Sequence, residues 1–476
     1  MSESIAEMII PGTYIEVRAE GLIGVGGIST GTIGVVGTAN RGPLDEVVIL
    51  GSFAEALEFF GDYDPLPATP ATTAHLTLTR TLEQAFRGGA SDVMAVRVAN
   101  LAAGTTMRSM TWTVSGADGD LFTLTARTPG TWANSIVAAL TAGTADQPAR
   151  LTLTQGARRE TFESATAATM VQDINSSSTF VTGSTPAAAN ADDAPTGVTA
   201  AIAAEAGGPD GAAAMGVLIP QITTGLNILA ERTVNILILA GYNADIAGGA
   251  VLGHLETTES NGRERIAILG TRGDTTAEAA ADANSISNRR AVLVAPGIFA
   301  IDRPSGLRVR LPPAYAAALV AGRLSTLAPH VSLTNKDVAV DGLTTEYTRA
   351  QQKQLLQSRI MTLHRNLGFR ALRGITTDTG PFIQISVRRI VDYAKAGVRI
   401  GSNPYIGRLN NARVRSALKA TLDGFLSQMV LDEMLISYDL EVTASRAQEI
   451  AGIAAVIMTL RPTFSIDFIR VTMNLE

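Results

Sequence analysis

The 476-residue chain contains no cysteine. Disulfides, thiolate metal sites and thiol nucleophiles are thereby excluded, and a reducing, cytosolic origin fits the composition. Histidine is nearly as scarce: His75, His254, His330 and His364 are scattered, with no H-x-x-x-H or H-E-x-x-H spacing to hold a metal. No G-x-S-x-G stretch occurs to make a nucleophile elbow. The longest apolar run, residues 450–460, falls well short of the ~20 residues that span a bilayer. The opening MSESIAEMIIPG lacks the basic and apolar regions of a signal peptide. A soluble protein of two to four domains, with no cofactor, metal or membrane insertion, is expected.

Charge is unevenly spread. Residues 343–476 hold 17 Lys and Arg against 11 Asp and Glu, a balance of +6, so the rest of a chain with net charge -6 carries -12. Residues 388–419 alone hold eight basic side chains (Arg388, Arg389, Lys395, Arg399, Arg408, Arg413, Arg415, Lys419) and one acid, Asp392. No aromatic ladder is interleaved with them, as a nucleic-acid surface of this kind would want. A solvated face and a surface for an acidic protein partner both remain open.

Glycine is the residue in excess. GLIGVGGISTGTIGVVG, residues 21–37, has seven glycines in seventeen positions. A dinucleotide fingerprint placed on Gly24 and Gly26 needs a third glycine where Ser29 stands, and a Walker loop needs lysine where Thr32 stands. A phosphate cradle is therefore disfavoured, and a flexible linker of Gly21, Gly24, Gly26, Gly27 and Gly31 is the mechanical reading.

The order of patterns is α/β. MIIPGTYIEVR alternates like a lone strand carrying Ile10, Tyr14, Ile15 and Val17; TIGVVGT reads as a buried strand, SFAEALEFF as a serine-capped helix and DVMAVRV as another strand. Residues 102–211 turn to Thr, Ser, Ala and Gly with short alternating runs, the mark of an inserted β-rich domain. Apolar runs over 234–240, 265–270 and 291–295, separated by helix-compatible stretches, predict βαβ units around a parallel sheet. Further on, a long helix is expected over 348–366, a strand at FIQISVRRI, a helix over 411–434, and strands to the end. In SIDFIRVTMNLE the apolar face changes sides: Ile466 and Phe468 share one, Ile469, Val471, Met473 and Leu475 the other. A bulge or a passage between sheets would explain it. The divisions expected are 1–31, 32–101, 102–211, 212–342 and 343–476.

Two functional readings follow. An α/β enzyme would use strand-end loops, where AGYNAD places Asp245 and GTRGD places Arg272 and Asp274; polar loop residues capping the next helix explain these equally well. The alternative starts from the lone strands at 8–18 and 465–476, whose unpaired backbones call for another subunit's sheet.

Several phrases in order, PGTYIEV, GTANRGP, SFAEALEFFG, TARTPGTWANSI, YIGRLNNARVRSALKATLDGFL and LRPTFSIDFIRVTMNLE, make the chain resemble the sheath proteins of contractile phage tails and related injection machines. The tryptophan-containing turn that such proteins often carry before the FIQISVRRI strand is replaced here by RGITTDTG. The resemblance implies a structural, non-enzymatic subunit. Its inner domain would be built from both chain ends, with 102–211 as an outward insertion. Subunits would stack as hexameric rings in a helical sheath that contracts around an inner tail tube. It also implies baseplate and tail terminator partners, no direct contact with nucleic acid, and a place in the virion tail after assembly in the bacterial host cytoplasm. Arg413, Arg415 and Lys419 would then face the tube, and Phe468, Ile469, Val471 and Met473 would join the early strand as inter-subunit arms.

Overall fold

A computed structural model describes residues 27–63, 76–99, 110–144, 146–202 and 219–475. The expected early strand, with Ile10, Tyr14, Ile15 and Val17, and the glycines Gly21, Gly24 and Gly26 lie outside them. The fold is mixed α/β and divides into two compact units. One contains residues 31–327 and 333–383; the other is built from 27–30, 328–332 and 384–475 among the described residues.

The larger unit is organised by an eight-stranded sheet in the order Phe369–Ala371, Met361–Arg365, Ala291–Ala295, Ile266–Gly270, Ile236–Leu239, Ile33–Gly37, Val93–Arg97, Val47–Leu50. The six inner strands run parallel and the two edge strands antiparallel. Strands such as IGVVG, ILIL and AVLVA are buried at every position. This is why they read as continuous apolar runs rather than alternating ones. Helices start where the sequence offers caps: Ser52 accepts from the Glu55 amide at 3.3 Å, and Thr275 and Glu278 form a capping box. Gly31 sits where the chain enters this sheet. A Cβ there would lie 2.6 Å from the Ser325 carbonyl oxygen, so close approach, not freedom, demands glycine at this position.

The insertion has its own core. Met110–Gly116, Gly119–Ala126, Val181–Gly183 and Gly197–Ile202 form one sheet, and Val137–Thr141, Ala149–Gln155 and Arg158–Ser164 another. Trp112 and Trp132 are buried with Leu124, Leu151 and Ile174 in this core. Arg97, on a strand of the large sheet, ties the insertion down by donating to the carbonyls of Gly42 (2.7 Å) and Pro129 (2.8 Å), while Arg41 stacks 4.4 Å over the Trp132 ring. The phrases GTANRGP and TARTPGTWANSI thus meet in space.

Buried arginines recur. Arg265 donates to the carbonyls of Leu229 (3.0 Å), Ala230 (3.4 Å) and Arg232 (3.1 Å), closing the carboxyl end of helix Ile219–Ala230. Its Nη1 also lies 3.1 Å from His254 Nε2. Since arginine can only donate, Nε2 accepts and His254 is neutral with its proton on Nδ1. Burial, and then the Arg265 charge, push His254 down from 6.5 to about 4. In the unfolded chain the ring protonates near 6.5, so the unfolded state binds the extra proton first as pH falls. This contribution to stability is complete above ~6.5 and declines through that window toward about 4, by roughly 1.4 kcal/mol per pH unit. His254→Gln, which can still accept from Arg265, is expected to flatten the loss. Urea midpoints of both proteins from pH 7 to 4 check this; equal slopes would contradict it.

The smaller unit packs helices Ile385–Ser402 and Ala412–Leu431 against a hairpin of Leu435–Thr443 and Ala455–Pro462. Gly397 permits the helix crossing, because a Cβ there would lie 2.0 Å from the Phe425 ring. The expected strand FIQISVRRI is instead the entry into the first helix. Its alternation over 383–387 misleads, whereas the buried Ile390, Ala394, Gly397 and Gly401 follow helical spacing. In the larger unit the expected helix over 348–366 also breaks. Arg349–Gln357 is helical, Arg359 takes a left-handed φ of 64° in place of the usual glycine, and Met361–Arg365 enters the large sheet.

Candidate functional site

In the order above, the chain passes from Val93–Arg97 on one side of Ile33–Gly37 to Ile236–Leu239 on the other. That reversal creates the crevice, at the carboxyl ends of these strands, where open α/β sheets take their ligands. Here it is filled. The Thr38 carbonyl accepts from the amides of Thr77 (3.1 Å) and Leu78 (2.8 Å), occupying two of the donors at the start of helix Leu78–Gly88 that could face an anion. Tyr242 and Tyr315 are buried, and burial pushes the Tyr242 hydroxyl up to about 12. At Gly241 even a Cβ would meet the Tyr315 hydroxyl and Thr77 at 2.8 Å.

The loop residues suspected of chemistry are committed elsewhere. Asp274 accepts from the Gly297 amide at 2.9 Å and pairs with Arg310, and its carbonyl accepts from Tyr347 at 2.6 Å. The Arg272 amide and Nε both donate to Asp282 at 2.7 Å, and that carboxylate is fully buried. Asp245 lies in the first turn of helix Ala244–Ser260, where a carboxylate suits the helix dipole. Among the described residues no group of three or more His, Asp or Glu is placed to hold a metal, and no helix is long and apolar enough to cross a membrane. Asp274 and Arg272 thus tie loops together and Asp245 sits at a helix start, the structural roles that polar strand-end residues can fill without chemistry.

A different kind of site occupies the smaller unit. The hairpin ladder runs from Leu435↔Pro462 to Thr443↔Ala455. Tyr438, Leu440, Val442, Val456, Met458 and Leu460 pack against the helices. The opposite face presents Asp439, Glu441, Ile457 and Arg461, with Ile457 58 % exposed. Only these two strands make up the sheet, so both of its outer edges lack a partner strand among the described residues. Isolated two-stranded hairpins are marginal, and such edges are templates for further strands.

Beside it, residues 463–475 run without any assigned strand. The amide of Thr463 donates to Met434 at 3.1 Å, and from there apolar side chains stand in water: Phe464, Ile466, Phe468, Ile469, Val471, Met473 and Leu475 are all 60 % or more exposed.

The basic run of 388–419 is not one surface. Arg388 is buried in an ion pair with Asp392 at 2.6 Å, and the buried Arg389 donates to the carbonyls of Ala328 and Thr30. Arg415 bonds Asn410 at 2.8 Å and Glu449 at 3.0 Å. Arg413 and Lys419 are exposed. Tyr405, from the YIGRLNN phrase, donates to the Ala417 carbonyl at 3.0 Å and so holds that loop on the helix; no spacing rule signals such a role.

The family described as phage tail sheath protein central domain matches residues 216–377, and that described as phage tail sheath C-terminal domain matches 377–476. The tail sheath protein of Bacillus phage SP01 is 27 % identical over 229 residues, 46 % of this chain. That match spans only 40 % of the relative's length. A sheath tail protein from Desulfitobacterium hafniense superposes with a TM-score of 0.61 at 17 % identity, covering 95 % of this chain and 100 % of its own. The helical sheath of the anti-feeding prophage in its contracted state is similar with a TM-score of 0.57 at 13 % identity, over 98 % and 99 % of the two chains.

Proposed function

This chain belongs to the contractile tail sheath family, a structural subunit and not an enzyme, and from that premise we propose that it polymerises as stacked hexameric rings into a helical sheath. The sheath encloses an inner tail tube, and its contraction drives that tube through a target cell envelope. The observation that carries the reading is the exposed apolar row of 464–475 in the same unit as a hairpin with two unpaired edges. Donation of such segments between copies would satisfy both, and heterologous contacts of this kind build open helical assemblies. Phe468, Ile469, Val471 and Met473 act as one donated arm, and Ile10, Tyr14, Ile15 and Val17 as the other. The glycines at 21, 24, 26 and 27 serve as the second arm's tether; Gly31 marks where that tether ends against the core. No nucleotide is needed, because a packing trapped at assembly can release its energy through a change of packing. Baseplate and tail terminator proteins bound the sheath, which forms in the host cytoplasm without touching nucleic acid.

Electron microscopy of the concentrated protein tests the assembly directly. Tubes or ring stacks are expected; uniformly dispersed monomers would overturn it.

We further assign Arg413 and Lys419 to the surface that meets an acidic tube, with Arg415 holding their helix to Glu449. Exposed pairs contribute only ~0–1 kcal/mol each, but repetition along a tube multiplies them and salt screens them, which suits release on contraction. Charge reversal at both, Arg413→Glu with Lys419→Glu, is expected to reduce sheath recovered with sedimented tubes several-fold while the monomer melts as before. Unchanged recovery across a range of salt would remove the tube-facing assignment.

A further inference from the structure

Gln384 stands at the N-cap of helix Ile385–Ser402, yet its side chain makes no capping bond. It reaches the root of the exposed segment instead. Its Oε1 accepts from the Ser465 amide at 3.2 Å, and its Nε2 donates to the Ser465 carbonyl at 3.4 Å and to Asp467 Oδ2 at 3.2 Å. Ser465 Oγ donates to the other Asp467 oxygen at 3.2 Å. One carboxamide thus does for Ser465 what a neighbouring strand's peptide does in a ladder: it accepts from the N–H and donates to the C=O.

In an extended chain residues 465, 467, 469, 471, 473 and 475 share a face. On that face the side chains under the Gln384 carboxamide are polar, Ser465 and Asp467. Beyond them it turns wholly apolar, with Ile469, Val471, Met473 and Leu475 at 73–99 % exposure. The change of apolar face at Phe468 therefore coincides with the end of the clasp, and needs no bulge: the same face rests on its own subunit through polar bonds and then requires a foreign apolar surface.

We infer that Gln384 is a positioning residue that fixes where the donated segment leaves its own subunit and in which register it meets a second copy. This rests on the donation proposed above. Holding the root at Ser465–Asp467 leaves the chain from Phe468 onward to bridge to the acceptor, and its eight residues 468–475 alone reach about 26 Å at ~3.3 Å each. It also removes rotational freedom at the root before docking, which lowers the ordering cost of each contact.

The test compares three proteins with the wild type for the critical concentration of tube formation, with thermal melting of the monomer as a control. Gln384→Glu keeps an acceptor for Ser465 but sets a carboxylate against Asp467. It is expected to melt like wild type and to raise the critical concentration about five- to tenfold, the equivalent of one or two lost hydrogen bonds. Adding Asp467→Asn restores a donor opposite the introduced carboxylate and should recover most of the loss. Deleting 469–475 should abolish tubes. If the deletion abolishes them while Gln384→Glu assembles like wild type, or if Asp467→Asn rescues nothing, the clasp is wrong although donation stands. If the deletion itself forms normal tubes, donation by this segment falls first. Should Gln384→Glu melt early, Gln384→Ala removes all three bonds without adding charge, and its assembly decides the matter.

Discussion

A chain lacking residues 469–475 is expected to be monomeric at concentrations where the full chain forms tubes, with its unfolding midpoint unchanged. The reason is the combination of exposure and pattern. Beyond the clasped root, the four large apolar side chains Ile469, Val471, Met473 and Leu475 are 73–99 % exposed, and none belongs to the buried clusters of its own unit. Fully burying such side chains yields about 1.5–3 kcal/mol each, and under the proposed donation that contribution is realised on another molecule. Removing them should cost folding little and association nearly everything. Sedimentation velocity and microscopy on the truncated protein check the first half, urea unfolding the second. A lowered midpoint would mean that these residues stabilise their own subunit and that their exposure is not the basis of assembly.

The second large effect concerns folding rather than assembly. Arg80 and Asp302 form an ion pair with side-chain exposures of 2 % and 0 %, bringing helix Leu78–Gly88 to the strand that ends at Ile301. Tyr63 lies under the guanidinium, 3.9 Å from ring centroid to carbon, and Ser305 donates to the carboxylate through both its amide and its hydroxyl. Burial works against the Asp302 charge, but the Ser305 and Arg80 hydrogen bonds outweigh it and hold the carboxyl below its usual 3.8. Its contribution to stability is therefore present above ~3.8 and lost only as pH falls below that value. Asp302→Ala at neutral pH takes the carboxylate away from a buried guanidinium and is expected to destabilise by about 3–5 kcal/mol. Replacing both, as Arg80→Met with Asp302→Leu, should cost clearly less, because neither charge is then stranded. A loss under about 1 kcal/mol for Asp302→Ala in chemical denaturation would mean that water reaches Arg80.

What could be read from the residues depended on how local the cause was. TIGVVGT, AVLVA and SFAEALEFF behave as their patterns say, because burial on two faces and a serine cap are recorded in adjacent positions. FIQISVRRI misleads for the opposite reason: its period is settled by Ala394, Gly397 and Gly401, which lie outside the apparent strand, and by Phe425, which comes from another helix. The break after Gln357 carries no local mark either, since arginine stands where glycine would announce a left-handed turn. At the site the apolar alternation of 464–475 is plain in the sequence. The Gln384 contact is not, because an amide eighty-one residues away has no periodic relation to Ser465. The buried arginines are illegible for the same reason: counting charges over 388–419 cannot separate Arg389, aimed at carbonyls, from Lys419, aimed at water.

The closed crevice of the large sheet has a mechanical meaning. In doubly wound enzymes that gap admits a ligand, and loops and helices around it yield as the ligand enters and leaves. With Tyr242, Tyr315 and Thr77 packed across the strand ends, the sheet has no such soft seam, and a close-packed interior compresses little. A load applied to one side of this unit is therefore passed to the other with little loss to internal deformation. In the proposed assembly such a unit would act as a stiff link, and displacement would be confined to the joints between copies.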